Sequence, residues 1–319
     1  MVFDAARSRI VLFGGSGSAA TLNDTWQFDA ARTAWSELQP GGTVPAARSR
    51  HQSAYVPELS AAFYFGGNLD TGGKTNELWM YGPAAAPIPP RLTREGIVDA
   101  FSQRGGTVAP GELVSLFGSA LGPAQGAPFQ FDGETGLLPG SGGGVQVTFN
   151  GIPAPLLYAD AGQINAQVPY ELAGAQTAQI QVTVNGQRGD AIPYPVSATK
   201  PALLPRVFNE DGRENSAAAP ARAGEILVLF ATGQGVTSPP SITGAVARGP
   251  AYPVPQAETR LLVGGVAAEI LFRGQAPGTT GVMQVNARVP TGVAAGPAVP
   301  VVLEVGGVAS QVGVNVAIR

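Results

Sequence analysis

The chain has 319 residues, 44% of them hydrophobic and only 13% charged, which is enough apolar surface to bury a core and excludes wholesale disorder. Its net charge is −3 with no Lys/Arg cluster, which argues against nucleic-acid binding and against a polybasic membrane-surface role. There is no cysteine and one histidine, so disulfides, thiolate metal sites and thiol nucleophiles are excluded.

Gly 44 and Pro 28 occur without a short repeat period. Among alternating apolar runs, that composition predicts many turns and many short strands. No segment of about 18 apolar residues occurs, so no spanning helix is expected. Met1-Val2-Phe3-Asp4-Ala5-Ala6-Arg7 does not read as a signal peptide.

The first elements come in pairs. Ile10-Val11-Leu12-Phe13-Gly14-Gly15 recurs as Ala62-Phe63-Tyr64-Phe65-Gly66-Gly67, and Asn23-Asp24-Thr25-Trp26-Gln27-Phe28-Asp29 recurs as Asn76-Glu77-Leu78-Trp79-Met80-Tyr81-Gly82. The shared period is about 50 residues. Gly-Gly permits a sharp turn after an apolar strand, and Trp26 and Trp79 offer large packing surfaces between neighbouring blades. With the strand at Trp35-Ser36-Glu37-Leu38 and the Arg48-Ser49-Arg50-His51 start of the next unit, residues 1–83 resemble kelch repeats of a β-propeller. Residues 10–38 account for three strands and residues 48–82 for three more, hence two partial repeats. Propellers close with four to eight blades, so the chain is expected to be the C-terminal remnant of a longer protein, with its sheet edges open to self-association.

Pro83-Ala84-Ala85-Ala86-Pro87-Ile88-Pro89-Pro90 reads as a semi-rigid linker, placed at residues 84–95. Two further units follow, 96–201 and 202–319. Ala109-Pro110-Gly111-Glu112-Leu113-Val114-Ser115-Leu116-Phe117-Gly118 matches Ala223-Gly224-Glu225-Ile226-Leu227-Val228-Leu229-Phe230-Ala231. Strands ending in Asn150-Gly151, Asn185-Gly186, Gly264-Gly265 and Gly306-Gly307 predict two-residue hairpin turns, where both central residues take positive φ. Gln163-Ile164-Asn165-Ala166-Gln167-Val168-Pro169 returns as Gln284-Val285-Asn286-Ala287-Arg288-Val289-Pro290, roughly 120 residues later, the size of a small sandwich domain. Its Ile/Val, Ala and Val fall on one face, which predicts a core strand. Ile192-Pro193-Tyr194-Pro195-Val196 carries two prolines and fits only a sheet edge. The expected fold class is therefore all-β: partial kelch blades followed by two immunoglobulin-like β-sandwiches, each with about seven strands.

On Gly111, Gln163, Asn165, Pro169, Gly224, Thr232, Gly233, Gln284, Asn286 and Pro290, residues 88–319 resemble the tandem C-terminal module of large Solibacter and other acidobacterial envelope proteins, itself similar to IPT/TIG immunoglobulin-like folds. The resemblance implies a secreted or surface-attached bacterial protein, with a repeat or propeller domain ahead of the module. No activity comes with it.

Candidate chemistry is sparse. Galactose-oxidase-type copper enzymes also join a kelch propeller to an immunoglobulin-like domain, but they need a Tyr–Cys cofactor and His ligands, which this composition cannot supply. His51 has no Gly-x-Ser-x-Gly partner elsewhere and is expected to bond between strands. Gly14-Gly15-Ser16-Gly17-Ser18 and Ser141-Gly142-Gly143-Gly144 lack the following helix and Lys of a phosphate loop. Asn209-Glu210-Asp211-Gly212-Arg213-Glu214-Asn215 is too short for a calcium loop and reads as a turn. Asn165 and Asn286 are expected to satisfy backbone groups at a bend or bulge, the alternative being a duplicated ligand site. We therefore assign no catalytic, cofactor-binding or metal-ligating residue. The expected role is non-enzymatic binding or adhesion outside the cell or in its envelope, with a protein or glycan partner, no nucleic acid and no membrane span. Alternatives are the non-catalytic tail of a secreted kelch-type enzyme and a carbohydrate-binding accessory module.

Overall fold

A computed structural model describes residues 1–82 and 88–319. The chain forms two compact units, Met1–Pro87 and Ile88–Arg319. Both are all-β: among the described residues the only helical turns are the 3-10 segments Pro57–Leu59 and Tyr170–Leu172. Among the described residues no helix is long and apolar enough to cross a membrane.

The first unit holds a 4-stranded antiparallel meander of Val2–Asp4, Arg9–Ser16, Thr21–Asp29 and Ala34–Leu38. A 3-stranded meander follows, Gln52–Val56, Ala61–Phe65 and Leu78–Tyr81, and a 2-stranded pair of Arg48–Ser49 and Asn68–Leu69 sets Arg48–Ser49 against the Arg9–Ser16 and Thr21–Asp29 strands of the first sheet. The first sheet thus has one strand more than its sequence alternation predicts. Val2–Asp4 is too short to carry a period, and its register (Val2 opposite Val11, Asp4 opposite Arg9) comes from the neighbouring strand. Each Gly-Gly turns with positive φ (Gly14 55°, Gly15 117°, Gly66 68°, Gly67 108°). A Cβ on Gly14 would lie 2.7 Å from the Leu22 carbonyl oxygen and 2.8 Å from that of Arg48, so the chain approach itself demands glycine there. The core is small: Phe13, Ala62 and Tyr64, with Val2, Trp79 and Tyr81 against them. Large apolar side chains remain in solvent, among them Leu78 (63% exposed), Phe3 (56%) and Met80 (54%). None of the described sheets closes on itself.

Part of the expected linker, residues 83–87, lies outside the described residues. The rest of it differs from expectation. A strand runs over Arg91–Asp99, with Arg91 opposite Ser119 and Leu92 opposite Gly118 before a register shift to Ile97. Its first half is polar and solvent-facing, which hides it from a reading based on apolar alternation.

The second unit contains two sandwiches. In the first, a 5-stranded sheet (Arg91–Asp99, Leu113–Ser119, Gln163–Gln167, Leu156–Ala159, Ala127–Pro128) faces a 6-stranded one built around Val145–Phe149 and Thr177–Val184. Leu116, Ile164 and Ala166 from one layer meet Val147, Phe149 and Ile180 from the other in a single buried core. The second sandwich repeats the plan. Ile226–Thr232 and Met283–Arg288 form the centre of one sheet, and Thr259–Val263 and Gly296–Val305 the centre of the other. Leu227, Val285 and Ala287 pack there against Leu261, Val301 and Leu303.

The four turns take the conformation their residues predict. Asn150/Gly151 (φ 52°, 80°), Asn185/Gly186 (49°, 79°), Gly264/Gly265 (58°, 80°) and Gly306/Gly307 (61°, 78°) are positive at both centres, the type I′ pattern whose twist matches the strands. Ile192–Pro195 pairs only with Thr177–Val184, at a sheet edge. The recurrent strand is core in both copies: Ile164, Ala166, Val168, Val285, Ala287 and Val289 are all buried. Opposite it, pairing slips between Leu156 and Tyr158 in one copy and between Ile270 and Phe272 in the other. Each copy therefore has a bulge across from its Asn-Ala step.

Candidate functional site

In the first unit a cleft of about 390 Å³ is bounded by Phe13, Tyr64, Trp79 and Tyr81 on the strands and by the Pro40–Pro45 turn. His51 sits behind it, its ring 5.6 Å from Phe13 and 5.5 Å from Tyr64 between centroids. Burial, reinforced by the Arg48 charge, holds the His51 pKa below its ordinary value. The Nδ1 atom has no hydrogen-bond partner, so this imidazole is packed as an aromatic body rather than poised as a base. The Tyr64 hydroxyl is likewise buried without a partner, and burial raises its pKa. Beside them the buried Arg48 guanidinium reaches Glu77 Oε2 at 2.6 Å, the Gly66 carbonyl at 3.3 Å and the Ala46 carbonyl at 3.0 Å. The Trp79 indole donates to the same Glu77 oxygen at 3.0 Å. In the preceding repeat the Trp26 indole donates to Asp24 at 2.7 Å. An acid two residues before each Trp thus fixes the indole, a spacing set by strand alternation.

The second candidate is the joint between the two sandwiches. Thr232 Oγ1 accepts from the Leu113 amide at 2.8 Å and donates to the Gly281 carbonyl at 2.8 Å. The buried Gln167 side chain accepts from the Gly244 amide at 2.7 Å and from Thr280 Oγ1 at 3.1 Å. The Tyr170 amide donates to Thr243 Oγ1 at 2.9 Å, and that hydroxyl donates to Glu171 at 2.6 Å. The connecting segment adds Lys200, whose ammonium donates to Glu112 Oε1 at 2.9 Å and to the Arg104 and Thr107 carbonyls at 3.0 and 2.8 Å. The Ala109 amide donates to the other Glu112 oxygen at 2.6 Å. Burial pushes the Glu112 pKa up to about 8, with Lys200 opposing and Asp99 adding to the rise. Close backbone packing completes the joint: a Cβ on Gly235 would meet the Ala198 carbonyl oxygen at 2.3 Å.

The residues singled out by sequence fall into place unevenly. Asn165 and Asn286 do face a bulge, but their amide oxygens are taken by side chains rather than by backbone groups. Gln163 Nε2 donates to Asn165 at 2.8 Å and Gln284 Nε2 to Asn286 at 2.9 Å, and Ser115 Oγ also donates to Asn165 at 3.0 Å. Residues i and i+2 share one face of a strand, so the Gln beside each Asn reaches it before the backbone does. In the Asn209–Asn215 turn two of the three carboxylates are held by guanidinium groups, Asp211 by Arg213 at 2.6 Å and Glu214 by Arg206 at 2.7 Å. Arg213 holds the Asp211 carboxyl below its ordinary pKa. Asn209 and Asn215 brace the turn through Ala219 and Ala317. Sequence reasoning missed Glu112, Gln167 and Lys200 as a cluster. One signal existed: Lys200 is one of only two lysines in the chain, and it stands between two domains.

No protein-family model matches the chain. Multiple epidermal growth factor-like domains protein 8 of Homo sapiens is 30% identical over 82 residues, covering 24% of this chain and 3% of that protein. Its Mus musculus counterpart is 32% identical over 74 residues, 22% of this chain and again 3% of that protein. The chain thus spans about 3% of the length of the curated relatives it matches. Among solved structures, the I9–I11 tandem of titin aligns at 11% identity and TM-score 0.25, over 100% of this chain and 95% of that one. The Bacteroides ovatus mixed-linkage glucan utilization locus protein SGBP-B, in complex with a mixed-linkage heptasaccharide, aligns at 9% identity and TM-score 0.29, over 100% of this chain and 64% of that one. Superpositions this loose carry no argument about fold or function.

Proposed function

We propose that this is a non-enzymatic binding or adhesion protein of the cell exterior or envelope, in which kelch-type propeller repeats precede two immunoglobulin-like sandwiches of the acidobacterial tandem type. The sandwiches serve as a stiff spacer that holds the preceding domain away from its anchorage. The observation that carries this reading is the joint. A flexible tether needs no buried polar contacts, whereas here Thr232 and Gln167 each cross between domains in buried surroundings, and Lys200 ties the connecting segment to the first sandwich. Such contacts are lost at a cost if the domains swing apart, because each leaves a desolvated group without a partner. Hydrogen exchange on the full chain tests it. The Leu113 and Gly244 amides, both bonded across the joint, are expected to exchange as slowly as the core amides of Val147 and Leu229. Exchange at the rate of open loops would sink the spacer reading.

A second reading is favoured by the first-unit cleft, where Trp79 and Tyr81 offer aromatic faces beside the buried Tyr64 phenol. That chemistry suits stacking against a sugar ring. All three tryptophans lie in this unit, so a titration with soluble glycans followed by indole fluorescence reads it directly. A saturable change abolished by Trp79→Ala supports a glycan-binding module, and no change across a glycan panel rejects it.

A further inference from the structure

The two sandwiches are copies, so their equivalent ends can be laid over one another residue by residue. Val114 of Gly111-Glu112-Leu113-Val114 pairs with Asp99, and Leu227 of Gly224-Glu225-Ile226-Leu227 pairs with Asn209. The Asp99 amide donates to the Arg104 carbonyl at 2.9 Å, and the Asn209 amide to the Arg213 carbonyl at 2.8 Å. Val108 forms a parallel bridge with Val196, and Ala221 forms one with Ile318, which puts Pro220 in the place of Thr107 and Arg319 in the place of Ser197. Ala109 donates its amide to Glu112 Oε2 at 2.6 Å, and Arg222 donates its amide to Glu225 Oε2 at 2.9 Å. Each of the three hydrogen-bond acceptors of the Lys200 ammonium in the first copy therefore has a counterpart in the second: Glu225 for Glu112, the Arg213 carbonyl for that of Arg104, and the Pro220 carbonyl for that of Thr107, while neutral Asn209 stands where the first copy has Asp99.

In the second copy this place is a cleft of about 370 Å³, lined by Asn209, Arg213, Pro220, Glu225, Ile226 and Arg319. Glu225 is exposed where Glu112 is buried, and among the described residues no hydrogen bond is made to its Oε1. Of the cations near the carboxylate, the Arg213 guanidinium is paired with Asp211 at 2.6 Å, and among the described residues neither Arg319, which lines the cleft, nor Arg222 forms an ion pair with Glu225. One carboxylate oxygen and two carbonyls match the three N–H donors of a compact ammonium. They are too few for calcium, which takes six to eight oxygens, and they do not present the flat fork that guanidinium prefers.

We propose that the end of the second sandwich is a receptor for a lysine side chain carried on an extended segment of a partner polypeptide, seated on Glu225 and the Arg213 and Pro220 carbonyls as Lys200 is seated in the first copy. The inference stands on the repeat geometry alone and does not depend on the binding or spacer reading of the whole chain.

The chain's own joint supplies the probe: an N-acetylated, C-amidated peptide Ser-Ala-Thr-Lys-Pro-Ala-Leu, the sequence of residues 197–203. The full chain is mixed with the peptide and a carbodiimide, which joins a lysine amine to a carboxylate in contact with it, and the product is located by mass spectrometry. Labelling by ethanolamine under the same conditions calibrates the intrinsic reactivity of each carboxylate. Relative to that calibration, Glu225 is expected to be enriched roughly tenfold in peptide adducts, the ratio that a set of charge-assisted hydrogen bonds produces. Glu225→Gln, a change at an exposed side chain, is expected to remove that adduct without raising others. Peptide adducts distributed over the carboxylates as ethanolamine is, or a pattern in which Glu225 is not favoured, would overturn the proposal.

Discussion

Glu112 and Lys200 are 88 positions apart in sequence, and the burial of Glu112, which Lys200 only partly offsets, has consequences for stability against pH. The folded-state pKa of Glu112 is raised from 4.5 to about 8. A raised carboxyl pKa means that the folded chain holds a proton the unfolded chain has released, so this group's stabilisation is complete below pH 4.5 and is lost as pH climbs through about 8. Urea midpoints of the second unit, followed by circular dichroism, are expected to fall over that window, and Glu112→Gln is expected to flatten the fall. An unchanged slope in the variant would remove Glu112 as its source. Thr232 makes a separate prediction. Thr232→Val keeps the shape but strands the Leu113 amide and the Gly281 carbonyl, at a cost of about 1–3 kcal/mol in the same denaturation, and Thr232→Ser restores most of it. In the first unit, Arg48 is buried while its partner Glu77 is half exposed. Arg48→Met leaves Glu77 free to hydrate but removes the bonds to the Gly66 and Ala46 carbonyls. Indole fluorescence, which reports only this unit, is expected to show its unfolding midpoint lowered, and the second unit's transition, followed separately by hydrogen exchange at its core amides, is expected to be unmoved.

The β-hairpins decide how the elements are held in register. At each type I′ turn the second residue needs positive φ without local side-chain compensation, which glycine meets at least cost. Gly307→Ala is expected to destabilise the second sandwich by about 1 kcal/mol, whereas Gly306→Asn is expected to be nearly neutral, since asparagine already occupies the corresponding position at Asn150 and Asn185. Thermal unfolding of the two variants checks the contrast, and equal losses would mean the turns do not set the register. These turns, the core face of the Gln-Ile/Val-Asn strands and the edge position of Ile192–Pro195 were legible in the sequence, because each follows from residues a few positions apart. What escaped has a common physical cause. Val2–Asp4 and the polar half of Arg91–Asp99 owe their strand form to a neighbour rather than to their own pattern. The Ser115 hydroxyl that bonds Asn165 comes from a neighbouring strand, so that partner depends on a second strand's register. The cradle around Lys200 joins segments whose adjacency only the fold creates, so its residues looked like ordinary surface polar groups.

At the scale of the molecule the two units differ in how completely they cover their apolar surface. The second unit has two closed layers around continuous cores. The first leaves Phe3, Trp35, Phe65, Leu78 and Met80 in solvent around a small core, and among the described residues its sheets end in unpaired edges. Such edges and patches favour association, so light scattering of the full chain is expected to show mass rising with concentration, and a monomer at all concentrations would contradict it. The spacer proposal rests on the other unit and on its joint. The chain has no cysteine, so spin labels go cleanly onto Gln179→Cys in the first sandwich and Arg260→Cys in the second, both exposed positions. Pulsed electron–electron distance measurement on the doubly labelled full chain is expected to return one narrow distribution that broadens when Thr232→Val and Gln167→Ala are added. A broad or multi-peaked distribution in the chain without those two changes would contradict a stiff spacer.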